Sequence, residues 1–284
     1  MYSNKTYTNL ISNIKQSQQS DDPVTTTISK LKLPTDDSPF YFAREQIPHQ
    51  MIILLETVLG ISAILALLLI YYSRLNRVQL MLTPSSGFHI LFAGLIGLGF
   101  IFLEITFIQK FLLMLGTPIM ALTVVLFSVL LSTGIGAYLS GRLFSKNPFK
   151  AIVVSIPILA GILIAYYNLL PGIIYSEIVL PLGQRIALTF ALLSPTGLLM
   201  GFQFPSITRM AYSFMDSSAR GSRGDVNVTL LWGVNVIASV IGTVLTAIAS
   251  IVIGFSSNLL IGLGLYLAGL ASAIAAVKIT QRVV

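Results

Sequence analysis

Seven stretches of this chain, each apolar for about 20 residues, constrain its fold more than any other feature. They lie near residues 50–72, 88–110, 118–140, 149–170, 183–204, 229–253 and 258–280. At a rise of about 1.5 Å per residue, a helix of that length crosses the roughly 30 Å hydrocarbon core of a bilayer. Lipid offers no hydrogen-bond partners, so a crossing segment satisfies its backbone internally, and a single run does so as a helix. The expected fold is therefore an all-α, polytopic membrane protein of about seven transmembrane helices. A polar segment, residues 1–49, precedes the transmembrane helical domain, residues 50–284. The composition agrees: 55% of the 284 residues are hydrophobic and 10% are charged, where a soluble domain carries about 25% charged residues. There is no cysteine and there are only two histidines, His49 and His89. That leaves no disulfide framework, thiolate chemistry or histidine metal centre to expect.

The charges between the runs predict an orientation. With seven alternating spans, Arg74, Arg77, Arg142, Lys146, Lys150, Arg209, Arg220, Arg223, Lys278 and Arg282 share one face, while Lys110 and Arg185 are on the other. The excess of Lys and Arg marks the cytoplasmic side and places the C-terminus there, at the cell membrane. The N-terminal segment then falls outside. This distribution also explains the net charge of +7 without nucleic acid as a partner; the bilayer is the partner it implies.

Punctuation inside the runs predicts where helices stop. Gly116-Thr117-Pro118 reads as a turn and helix start. Pro171-Gly172 is expected to end the fourth span, and Pro195 to kink or break the fifth. Pro34 to Pro39 reads as turn chemistry, Phe40-Tyr41-Phe42 as a short docking run, and the Ser-, Gly- and Arg-rich stretch at 217–227 as a loop able to meet anionic lipid.

Glu104 lies within the second apolar run. An ionisable group at membrane depth costs about 2.5–3.5 kcal/mol on insertion scales, so it normally faces protein or water and has a partner. Arg185 enters from the same side and can snorkel, so a Glu104–Arg185 pair is one expectation. Two readings stand side by side: a substrate or ion site, to which Gln109 and Asn235 would contribute polar groups, and a structural pair that fixes helix packing. Glu56 reads as interfacial. Glycines recur at Gly94, Gly97 and Gly99, at Gly134, Gly136 and Gly141, and at Gly233, Gly242, Gly262, Gly264 and Gly269. In lipid, small residues let helix backbones approach closely.

Several of these pieces, in order, resemble the membrane portion of the spermidine synthase-like integral membrane proteins, also described as fused major-facilitator/spermidine synthase proteins. They are Gly97-Leu98-Gly99-Phe100 through Glu104 and Gln109, Leu115-Gly116-Thr117-Pro118, and Gly134-Ile135-Gly136 through Gly141-Arg142. Met200-Gly201 with Phe204-Pro205, and Trp232-Gly233-Val234-Asn235 through Ser239 and Gly242, complete the set. Pro34 to Phe40 resembles the segment that follows the catalytic domain in such proteins, with Ser38 where an Arg more often stands. The resemblance implies that residues 1–49 are the tail of a soluble aminopropyltransferase-like domain using decarboxylated S-adenosylmethionine. It implies no cofactor and no catalytic residue in this chain, because the glycine-rich cofactor loop and acidic catalytic residues have no counterpart here. A further architectural resemblance makes spans two to seven one six-helix half of a major-facilitator fold. Gly134 to Arg142 would then fall at its cytoplasmic loop.

Together these expectations describe a membrane domain that anchors or partners a synthase-like domain or subunit and handles polyamines, not catalytic alone. The alternatives are a secondary transporter, such as a homodimer of six-helix halves, binding a cationic small molecule at Glu104, and a purely structural partner.

Overall fold

A computed structural model of the chain describes residues 49–75, 84–217 and 228–283. The turn chemistry at 34–39, the aromatic run at 40–42 and the loop at 218–227, with Arg220 and Arg223, lie outside the described residues.

Among the described residues all regular structure is helical. The elements are α1 (His49–Leu75), α2 (Pro84–Leu115), α3 (Pro118–Leu143), α4 (Pro148–Glu177), α5 (Leu182–Gly201), α6 (Gln203–Ser217), α7 (Val228–Ile253) and α8 (Phe255–Val283). Seven spans are long and apolar enough to cross a membrane; α5 and α6 share one, Leu182–Ala211. The protein is a multi-pass helical membrane protein.

The turns follow from local chemistry. The Thr117 side chain accepts from the Met120 amide at 3.3 Å and caps α3, with Pro118 in its first turn. Asn147 does the same for α4 through Lys150, ahead of Pro148. Gly116 and Gly254 adopt φ of +83° and +86°, where a β-carbon is strained, and they turn α2 into α3 and α7 into α8.

The end expected at Pro171 and a break at Pro195 both need correction. α4 runs through Pro171 to Glu177, and α5 runs through Pro195 to Gly201. Near Pro195, hydroxyls attend the carbonyls. Ser194 donates to Phe190, Thr196 donates to Leu193 at 2.8 Å, and Tyr166 of α4 donates to Leu192. The break falls instead at Phe202, where Pro205 has no N–H for the Gly201 carbonyl. Gly134 to Arg142 likewise forms the last turns of α3 rather than a loop.

α2 is the hub. It packs against α3, α7 and α8, and more lightly against α4, α5 and α6. Of its span 56% is buried, against 6% for α1, which packs on α7. Phe92, Leu103, Phe107, Phe111 and Met114 make one buried stripe along it at intervals near the helical period. The outer faces are just as apolar, with Ile119, Phe127 and Leu130 exposed. Hydrophobicity therefore cannot choose which faces meet, and close backbone approach and polar bonds must do so.

Candidate functional site

The polar groups that sequence reading singled out are strung along α2 rather than gathered. At one end Asn235 Nδ2 of α7 donates to the Ala93 carbonyl at 2.9 Å, and Ser239 Oγ donates to the Gly97 carbonyl at 3.2 Å. This contact requires Gly97, since a β-carbon there would stand 2.5 Å from the Asn235 carbonyl oxygen. Gly242, farther along α7, lies over Leu98 and Ile101.

Midway, Glu104 is buried, 8% exposed. Tyr266 of α8 is fully buried. The Tyr266 ring rests on Gly99, 3.0 Å from where a β-carbon would be, while Leu103 covers Gly262 in the same way.

Near the far end, Gln109 meets the α7–α8 hairpin. The Ser250 hydroxyl lies 3.1 Å from Gln109 Oε1 and 2.7 Å from the Thr246 carbonyl. It accepts from Asn258 Nδ2 at 2.8 Å. Lys110 Nζ donates to Ser256 Oγ at 2.8 Å.

At the last turn of α2, Arg185 Nη1 donates to the Met114 carbonyl at 2.6 Å. The pair expected between Glu104 and Arg185 is not formed: Arg185 reaches the Met114 carbonyl, about 15 Å along α2 from Glu104. The guanidinium instead caps a helix C-terminus, where exposed carbonyls favour a cation. From Ala93 to Met114 is about 32 Å along a helix axis, so Glu104, Gln109, Arg185 and Asn235 do not share one pocket. Glu104→Gln and Arg185→Ala should therefore change unfolding stability in detergent additively, within about 0.5 kcal/mol. A coupling above about 1 kcal/mol would restore the pair.

The remaining motif residues join other helices. α3 and α5 form a near-contact pair of backbones. A β-carbon on Gly136 would stand 2.0 Å from the Leu198 carbonyl oxygen, and one on Gly201 would stand 2.2 Å from that of Thr133. The Thr133 hydroxyl donates to the Gly197 carbonyl at 3.1 Å across this crossing. Phe204 and Trp232, far apart in sequence, meet edge to face with centroids 4.9 Å apart. That contact brings Gly201-Phe204-Pro205 to Trp232-Gly233. Gly134 and Gly141 touch nothing across a helix interface, and Arg142 lies over the ring of Tyr138 on its own helix at 5.3 Å.

Sequence reading missed Tyr266, Asn258 and Gln203, all fully buried, and the role of Arg209. Gln203 Nε2 donates to Ser155 Oγ of α4 at 3.0 Å. Arg209, counted as a loop charge, instead caps α3. Its Nη1 reaches the Ser140 carbonyl at 3.1 Å, its Nη2 the Ser140 hydroxyl at 2.6 Å, and its Nε the Pro205 carbonyl at 3.0 Å. The Ser140 and Ser206 hydroxyls are 2.9 Å apart beneath it. The α5–α6 span thus carries one arginine near each end, each capping the C-terminus of a neighbouring helix. The legible signal for Tyr266 is its place one turn beyond Gly262 in a glycine-rich span.

Fold and polar groups together define the class: a multi-pass helical membrane protein in which several intramembrane polar groups tie helices to one another. Comparison with protein-family models, curated proteins and solved structures finds no match.

Proposed function

We propose that this chain is the integral membrane domain of a spermidine synthase-like protein, holding a synthase-like domain or subunit at the cell membrane. The observation that supports this reading is where the resembling residues fall. Gly97, Gly136, Gly201, Asn235, Ser239 and Gly242 all lie at helix crossings, three of them with backbone where a β-carbon would go. Motifs spent on crossings specify one helical arrangement, which is what a scaffold needs and a reaction centre does not. Aminopropyl transfer needs a base beside a bound amine and a cofactor pocket, and this reading assigns both to the synthase-like partner. The basic residues Arg142, Lys146, Lys150 and Lys278 favour a cytoplasmic C-terminus.

The test is the native protein in membranes of its source, detected with an antibody to the C-terminal tail. The expected result is a species well above 30.7 kDa that survives full denaturation. Equally supportive is a 30.7 kDa chain that co-purifies in mild detergent with a soluble subunit binding decarboxylated S-adenosylmethionine. A 30.7 kDa chain that purifies with no such subunit would overturn the proposal.

A further inference from the structure

In the interior of the spans, side-chain amides reach across to a neighbouring helix. Asn235 of α7 bonds α2, and Gln109 of α2 meets Ser250 of α7. Gln203 of α6 bonds Ser155 of α4, and Asn258 of α8 bonds Ser250. Asn168 of α4 departs from this pattern. It is exposed, and its Nδ2 donates at 2.8 Å to the Ile164 carbonyl of its own helix. No other described residue bonds it.

Asn168 lies at membrane depth. Tyr166, two residues before it, packs edge-on against Phe107 of α2 and donates its hydroxyl to the Leu192 carbonyl of α5. Phe107 is about 12 Å from the Leu115 end of α2, and Leu192 about 15 Å from the Leu182 end of α5. Asn168 is thus about 9–12 Å inside that end of the bundle. At such a depth an amide turned to hydrocarbon is costly unless another polar group meets it.

The helix around it is shaped for close approach. Leu159, Leu163, Leu170 and Ile174 turn one face of α4 into the bundle. On the opposite face Gly161, Asn168 and Gly172 are exposed, with Ala165 half-buried between them, at the four-three-four spacing of one helix side. A β-carbon on Gly161 or Gly172 would meet nothing within 4 Å. Small residues two turns below and one turn above a polar one let a second backbone come near enough for the amide to reach it.

We propose that this face of α4 is a self-association surface, occupied by α4 of a second copy of this chain. Charge complementarity names the occupant. An amide carries a negative partial charge on its oxygen and a positive one on its N–H, so it is its own complement. With one N–H on Ile164, Asn168 keeps one N–H and Oδ1, enough for two reciprocal bonds to an identical amide. A two-fold axis along the membrane normal sets both copies of Asn168 at one depth and both pairs of glycines against each other. Any other helix would need an amide placed independently at that level. The surface does not depend on the anchoring role.

The chain has no cysteine, so single-cysteine variants of the full chain report one position at a time. In membranes, oxidation of Ala165→Cys should give a species of twice the mass of the chain. Leu130→Cys, exposed on α3, should stay single. Energy transfer between labelled copies in liposomes, followed against the protein-to-lipid ratio, reads the affinity. Asn168→Leu should weaken association about 3- to 30-fold, and Gly161→Leu about tenfold or more. Both positions are open in the single chain, so both variants should unfold like wild type. Equal crosslinking of the two cysteine variants would mean random collision and would overturn the proposal. So would a crosslinked product of any other mass, which would put a different protein on this face, or unchanged association in either leucine variant.

Discussion

Gly136→Ala should be among the most damaging single-methyl changes available to this protein, costing about 3 kcal/mol or more of unfolding stability. The added carbon would lie 2.0 Å from the Leu198 carbonyl oxygen, 2.8 Å from its carbonyl carbon and 3.0 Å from its Cα. All three are backbone atoms, so no side chain can rotate away, and α3 and α5 must separate. Separation also breaks the bond from Thr133 to Gly197 and withdraws the Gly201 backbone from Thr133. Gly134→Ala is the internal control. It is two residues away on the same helix, is exposed and meets nothing within 4 Å. It should be neutral or stabilising by up to about 1 kcal/mol, because alanine is the better helix former. Thermal or denaturant unfolding of the two variants in one detergent checks this. Equal effects would mean that the α3–α5 approach is not as close as described.

Arg209→Ala should cost about 2–3 kcal/mol, clearly more than the about 1–1.5 kcal/mol expected for Arg185→Ala. Both arginines cap a helix C-terminus, but Arg185 makes one bond there, to Met114. Arg209 bonds the Ser140 carbonyl and hydroxyl and the Pro205 carbonyl, and its Nη2 also lies 3.4 Å from the Ser206 hydroxyl. Removing it takes a charged donor from several acceptors at the α5–α6 break at once. Arg209→Lys should recover little, since a single ammonium cannot present a planar fork to acceptors on two helices. The same unfolding assay reads the order of the three variants. A fully rescuing lysine would show that charge alone, and not the fork, holds α3 to α6.

The membrane spans were legible because lipid imposes a length and a polarity that can be counted along the chain. The Gly116 and Thr117 turn was legible for a similar reason, since a left-handed glycine and a capping side chain act within a few residues. The prolines misled because the fate of a helix at proline is settled by neighbours. α5 continues through Pro195, and the interruption falls at Phe202. The charges misled more. Glu104 and Arg185 looked like a pair because both enter from one side, yet Arg185 reaches Met114.

The sequence by itself determined that the chain is helical, crosses the membrane about seven times, and changes direction where it does. These outcomes follow from the absence of water in the hydrocarbon core, a constraint each segment meets alone. Only the tertiary structure decided which glycines are indispensable and which carbonyls the arginines cap. Inside and outside of this bundle are equally apolar, so pattern cannot say which faces meet. Complementary backbone approach and hydrogen bonds between distant segments do.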